Sequence, residues 1–168
     1  MANFLGISYR KNPTTLYHVS FNDSLPEVLN PQLPAGSELA TGDEKYPEPE
    51  VDRVCLAETV TGCIRAMWPN ISKMVVEEGH KVLTMHVYEA VDLKKTKMYS
   101  PEVLAQIKYV WDAELTGEWW SVEPVKIRHL RKIEVHFDTN GKWTMVKPYG
   151  TEAEVEHSPG SIVIKELK

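Results

Sequence analysis

The chain has 168 residues, 42% of them hydrophobic, with 24 acidic against 19 basic side chains and a formal net charge of −5. That length and apolar share fit a single globular domain over residues 1–168 with a continuous core, and the acidic balance argues against general affinity for phosphate backbones. No stretch approaches the ~18 unbroken apolar residues of a membrane span, and the N-terminal MANFLGISYRKN turns polar too soon for a secretory leader, so a cytoplasmic protein with no membrane partner is expected.

Leu16-Tyr17-His18-Val19-Ser20-Phe21, rich in β-branched and aromatic residues, predicts the first strand. Residues 22–52 carry Pro26, Pro31, Pro34, Gly36, Gly42, Pro47 and Pro49 and read as a long loop with short helical or extended pieces. Arg53 to Ala57 is a short apolar run typical of a buried strand. It passes into a segment where Val60, Cys63, Ile64 and Met67 recur at helical spacing, with Pro69 as the expected stop. Lys81 to Ala90 alternates as a strand should, with Leu83, Met85 and Val87 on one side and Thr84, His86 and Tyr88 on the other. Ser100-Pro101 reads as an N-cap and first helical position, opening a helix to about Ile107.

Trp119 to Val125 and Ile127 to Phe137 follow as strands, and Asn140-Gly141 predicts a tight hairpin into Trp143 to Val146. Ile162-Val163-Ile164 reads as a last strand at a sheet edge. Strands outnumber helices and no regular βαβ alternation appears. The expected class is α+β, a mostly antiparallel sheet, split or continuous, with one or two packed helices.

The sequence contains no phosphate-binding G-x-x-x-x-G-K-[ST], no G-x-G-x-x-G, no G-x-S-x-G and no H-E-x-x-H. The six histidines show no metal-ligand pairing, and Cys55 and Cys63 are too far apart for a zinc pattern, so no metal is expected. His86 reads as a structural or surface residue. Lys126, Arg128, His129, Arg131 and Lys132 read as a solvated strand face. The Ala57–Thr61 corner frees helix N–H groups that suit an anion, although every helix begins this way.

What remains is a constellation: Tyr17, His18 and Ser20 on an early strand, Arg53 before a helix, and Glu118, Trp119 and Trp120 late in the chain. These residue types suit chemistry on a ribose. Histidine hydrogen-bonds a hydroxyl, an aromatic stacks on a flat base, and a carboxylate stabilises the charge that develops when a glycosidic bond breaks. Equally, a glutamate before two tryptophans is an ordinary edge or surface residue, and at least one of the two adjacent indoles belongs to the core.

The order of these pieces resembles the ADP-ribosyltransferase superfold, on its diphtheria-toxin and poly-ADP-ribose polymerase side. The matching places are Leu16-Tyr17-His18-Val19-Ser20, Arg53 to Ala66, and Glu118 to Val135, where Pro124-Val125, Ile127, Leu130, Ile133 and Val135 keep the rhythm. A closer resemblance, from about Leu16 to Val135, is to small proteins of bacteria and their phages with the layout Y-H-V-S, R-V-C-x-A and E-x-W-x-x-x-P-V, which carries no known activity. The first resemblance implies NAD as substrate, bound between two halves of the sheet, and a host protein or nucleic acid as acceptor. It implies catalytic roles for Glu118 and His18, and binding of the nucleotide by Tyr17, His18, Ser20, Arg53 and Trp119. Glu118 and His18 would then lie within roughly 10 Å of each other on neighbouring strands.

The chain departs from the family pattern in offering Cys63 and Trp68 where a stacking tyrosine is usual, a single glutamate, and Val19 in place of glycine. The alternative on the same fold is a non-catalytic module that binds a nucleotide-derived ligand or a protein. A tRNA 2′-phosphotransferase shares the superfold but relies on arginines that have no matching set here.

Overall fold

The computed structural model describes residues 12–34, 49–137 and 163–166. Among the described residues eight strands form one sheet: β1 Leu16–Ser20, β2 Val28–Leu29, β3 Val54–Ala57, β4 Val82–Val91, β5 Met98–Tyr99, β6 Glu118–Ser121, β7 Val125–His136 and β8 Val163–Glu166. Their order is β2-β7-β4-β1-β3-β6-β5, with β8 also on β7, and every pairing is antiparallel. The α+β class with a mostly antiparallel sheet is as expected. The Asn140-Gly141 hairpin lies outside the described residues.

Among the described residues four short α-helices pack on one face: α1 Val60–Ala66, α2 Trp68–Ser72, α3 Pro101–Gln106 and α4 Ala113–Thr116. Thr59 starts α1 by accepting a hydrogen bond from the Gly62 N–H at 2.9 Å, and Val60, Cys63 and Ile64 turn inward. Contrary to expectation, Pro69 does not end the helical region. It sits in the first turn of α2, where its missing N–H costs nothing, and a π-helical turn over Lys73–Glu77 follows. Ser100 caps α3 as expected, accepting from the Val103 N–H. The strand expected over Trp119–Val125 stops at Ser121, whose hydroxyl donates to Glu123 O at 2.7 Å and closes a turn before β7.

The core has two main layers. Between the sheet and the helices, Val19, Ala57, Met85 and Ile133 of the strands pack with Ile64 of α1 and Ile71 of α2. On the opposite face lie Leu16, Leu56, Tyr88, Ala90, Trp119 and Ile127, partly covered by Leu25 and Leu29. Each fully buried large aliphatic contributes about 1.5–3 kcal/mol.

A bulge in β7 allows one strand to serve both layers. Val87 lies opposite Arg131 but Tyr88 opposite His129, so Leu130 is an extra residue. Beyond it the inward positions change face, and Ile133 falls opposite Met85 while Ile127 falls opposite Ala90.

The sheet narrows between β1 and β3. Five register pairs join β1 to β4, whereas β1 meets β3 at Tyr17 opposite Ala57. Beyond that pair the His18 ring takes the place of a ladder bond, with Nδ1 3.0 Å from Cys55 O.

Candidate functional site

Register decides which of the singled-out residues share a face. Directly paired residues point the same way and neighbours along a strand point oppositely. Tyr17 lies opposite Ala57, and Ala57 opposite Glu118, so these three share the face under α1. His18 and Ser20 therefore point to the other face. The strands bring the two residues expected to act on one ribose into neighbouring register but aim them apart.

On the helix side, Glu118 is buried and accepts a hydrogen bond from Trp120 Nε1 at 2.6 Å. Burial raises its pKa; the Trp120 donor and then the Arg53 guanidinium pull it back, Asp112 adds to the rise, and Cys55 lowers it. Arg53 is buried too. Its guanidinium lies 3.9 Å from the centre of the Trp120 ring, and Nη1 donates to Pro49 O at 3.1 Å and Val51 O at 3.0 Å. A side chain held this way braces the loop before β3.

The two thiols are inert as nucleophiles. Burial, then Glu118, pushes both Cys55 and Cys63 up to about 12. Cys63 donates to Tyr17 O at 3.2 Å, which ties α1 to β1.

On the opposite face His18 is half-buried. Because a carbonyl only accepts, its Nδ1 carries the proton given to Cys55 O, which leaves Nε2 as the acceptor of a neutral ring. Burial lowers its pKa, and the Cys55 carbonyl partly offsets this. A chain of rings runs outward from it. His18 and Tyr88 centroids are 6.4 Å apart, Tyr88 and His129 meet edge-on at 5.1 Å, and His129 lies 5.5 Å from His86. His86 Nδ1 and His129 Nε2 are 3.3 Å apart. Tyr88 Oη donates to Asn22 O at 2.9 Å, and Ser20, opposite His86, accepts from the Asn22 N–H at 3.0 Å.

Beside this cluster an open groove of about 470 Å³ is walled by Leu25, Val28, Tyr88, Lys126, Arg128 and His129 among others. The lining of this groove includes Tyr88 and not His18. Trp119 faces this side but is fully buried, with Nε1 donating to Glu58 at 3.0 Å, and has no face left for a base.

The singled-out residues thus divide. His18, Ser20 and Trp119 point one way, and Tyr17, Arg53 and Glu118 the other. Sequence reading missed the association of His86, Tyr88 and His129 with His18. Alternation along β4 places His86 and Tyr88 on one face, but the bulge that brings His129 to them leaves no mark in the pattern of β7. At the Ala57–Thr61 corner Thr59 occupies the Gly62 N–H. Among the described residues no helix is long and apolar enough to cross a membrane, and no group of three His, Cys, Asp or Glu side chains could hold a metal ion. Comparison with protein-family models, curated proteins and solved structures returns no match.

Proposed function

We propose that this chain is a non-catalytic binding module. The observation that carries the reading is the register Tyr17–Ala57–Glu118, which aims the one candidate catalytic carboxylate away from His18. Breaking the glycosidic bond of NAD needs a carboxylate facing the anomeric carbon, and Glu118 is buried against Trp120 and Arg53. The module's working side is the face of β1, β4 and β7, where imidazole and phenol rings adjoin an open groove lined by Lys126 and Arg128 and by Asp23 and Glu27. Such a surface suits a nucleotide-derived ligand or a protein segment.

One observation favours a second reading, an ADP-ribosyltransferase-like enzyme that uses NAD to modify a host macromolecule. The narrow junction of β1 and β3, with His18 in the gap, is where a split sheet would admit a dinucleotide. Incubation with NAD and chromatography of free nicotinamide separates the two. The module releases none above the buffer rate. Release that Glu118→Gln lowers by ~10²-fold, the scale for losing one charge-stabilising group, would establish the enzyme and overturn the module.

A further inference from the structure

We propose that His86 Nδ1 and His129 Nε2 form a two-histidine site for a zinc ion on the face shared by β4 and β7. The inference goes beyond the binding-module reading and does not depend on it. The two ring nitrogens lie 3.3 Å apart, with ring centroids 5.5 Å apart and planes inclined by 44°. Zinc bonds to imidazole at about 2.0–2.1 Å, and at the tetrahedral angle two such bonds set their nitrogens about 3.3–3.4 Å apart. A right-angled pair, as in square or octahedral coordination, would need about 2.9 Å. The separation is the tetrahedral one, so an ion enters without moving either strand. As a hydrogen bond alone the contact is long, beyond the roughly 2.7–3.2 Å usual for N–H···O bonds.

Register makes the pair. His86 and Tyr88 share a face of β4, His129 stands opposite Tyr88 and Lys132 opposite His86, and the bulge at Leu130 lets His129 and Lys132 share that face. His86 is buried and His129 exposed, so one ligand is fixed while the other can turn. The ion lies to the side of the line between the nitrogens, and the broad χ2 torsion of an imidazole aims each lone pair at it. Tyr88, edge-on to the His129 ring at 5.1 Å, walls one side. Neutral rings lose no net proton. The proton between the two nitrogens moves to the far nitrogen of its own ring, two Zn–N bonds form, and two waters leave the ion. Two protein ligands leave the other tetrahedral positions to water, so the ion exchanges, unlike that of a closed structural site. Lys132, exposed on the same face, opposes the ion's charge and holds the affinity down.

The test titrates the whole chain, isotope-labelled, with zinc chloride alone. Long-range proton–nitrogen correlation reads the imidazole nitrogens, and calorimetry reads the affinity. Zinc is expected to shift His86 Nδ1 and His129 Nε2, whereas magnesium, which takes oxygen ligands, leaves them in place. His129→Ala, at an exposed position that the fold tolerates, is expected to weaken zinc binding at least about tenfold. Lys132→Glu puts a carboxylate opposite His86 in place of a cation and is expected to tighten it by roughly tenfold. His80→Ala and His136→Ala are expected to leave it unchanged. Four results would overturn the proposal: no shift of these two nitrogens at about 1 mM zinc, an equal response to magnesium, an affinity unaltered by His129→Ala, or an affinity unaltered by Lys132→Glu.

Discussion

Glu118 and His18 both have their pKa values moved by burial, in opposite senses. The folded chain holds the Glu118 proton to higher pH than the unfolded chain, whose carboxyl titrates near 4.5. Stability tied to that proton is complete below 4.5 and is lost as pH rises through the raised value. His18 behaves conversely. Its folded pKa lies below 6.5, so its contribution is present above 6.5 and is lost as pH falls through the lowered value. Urea unfolding across a pH series reads both. Glu118→Gln, which retains an acceptor for the Trp120 indole, is expected to remove the loss on the alkaline side and keep the loss on the acid side. An unchanged alkaline slope in that variant would mean that Glu118 is not buried as described.

At the scale of elements, the helix layer depends on one close approach. A Cβ on Gly62 would lie 2.1 Å from Thr116 O, a backbone atom at the end of α4 that cannot swing aside. Arg65 of α1 also donates to Leu115 O at 2.8 Å, so the two helices are fastened where they touch. Gly62→Ala is therefore expected to destabilise the fold by about 1–3 kcal/mol, the range for overpacking a filled site, although alanine is the better helix former. Thermal unfolding measures it, and a neutral or raised Tm would show that the helices do not meet this closely.

This contact was not legible from the sequence, because Gly62 in a run of helical spacing reads only as a weak helix former. The cap at Ser100 and the strand from Val82 were legible, since side-chain chemistry and period announce them locally. The bulge at Leu130 was not. Val125, Ile127, Ile133 and Val135 all fall on odd positions, as one flat strand would have them, and only pairing with β4 shows that two of them face each way.

At the scale of the molecule, the sheet is two antiparallel halves that meet at Tyr17 and Ala57. The α+β class was readable because strand and helix signals are local. Face membership across the junction was not, because it depends on which residue of β3 stands opposite β1, and a slip of one residue would have put His18 and Glu118 on the same side. The pKa influences agree with the register: the groups acting on Glu118 are Trp120, Arg53, Asp112 and Cys55, and His18 responds to burial and the Cys55 carbonyl.

The central claim is that these two side chains do not share a site, and nuclear Overhauser contacts of the Glu118 side-chain protons test it most directly. With Glu118 on the helix face and His18 on the other, a cross-peak is expected from Glu118 to the Trp120 indole and none from Glu118 to the His18 ring. A direct cross-peak between Glu118 and the His18 ring would place both in one cleft and contradict the account.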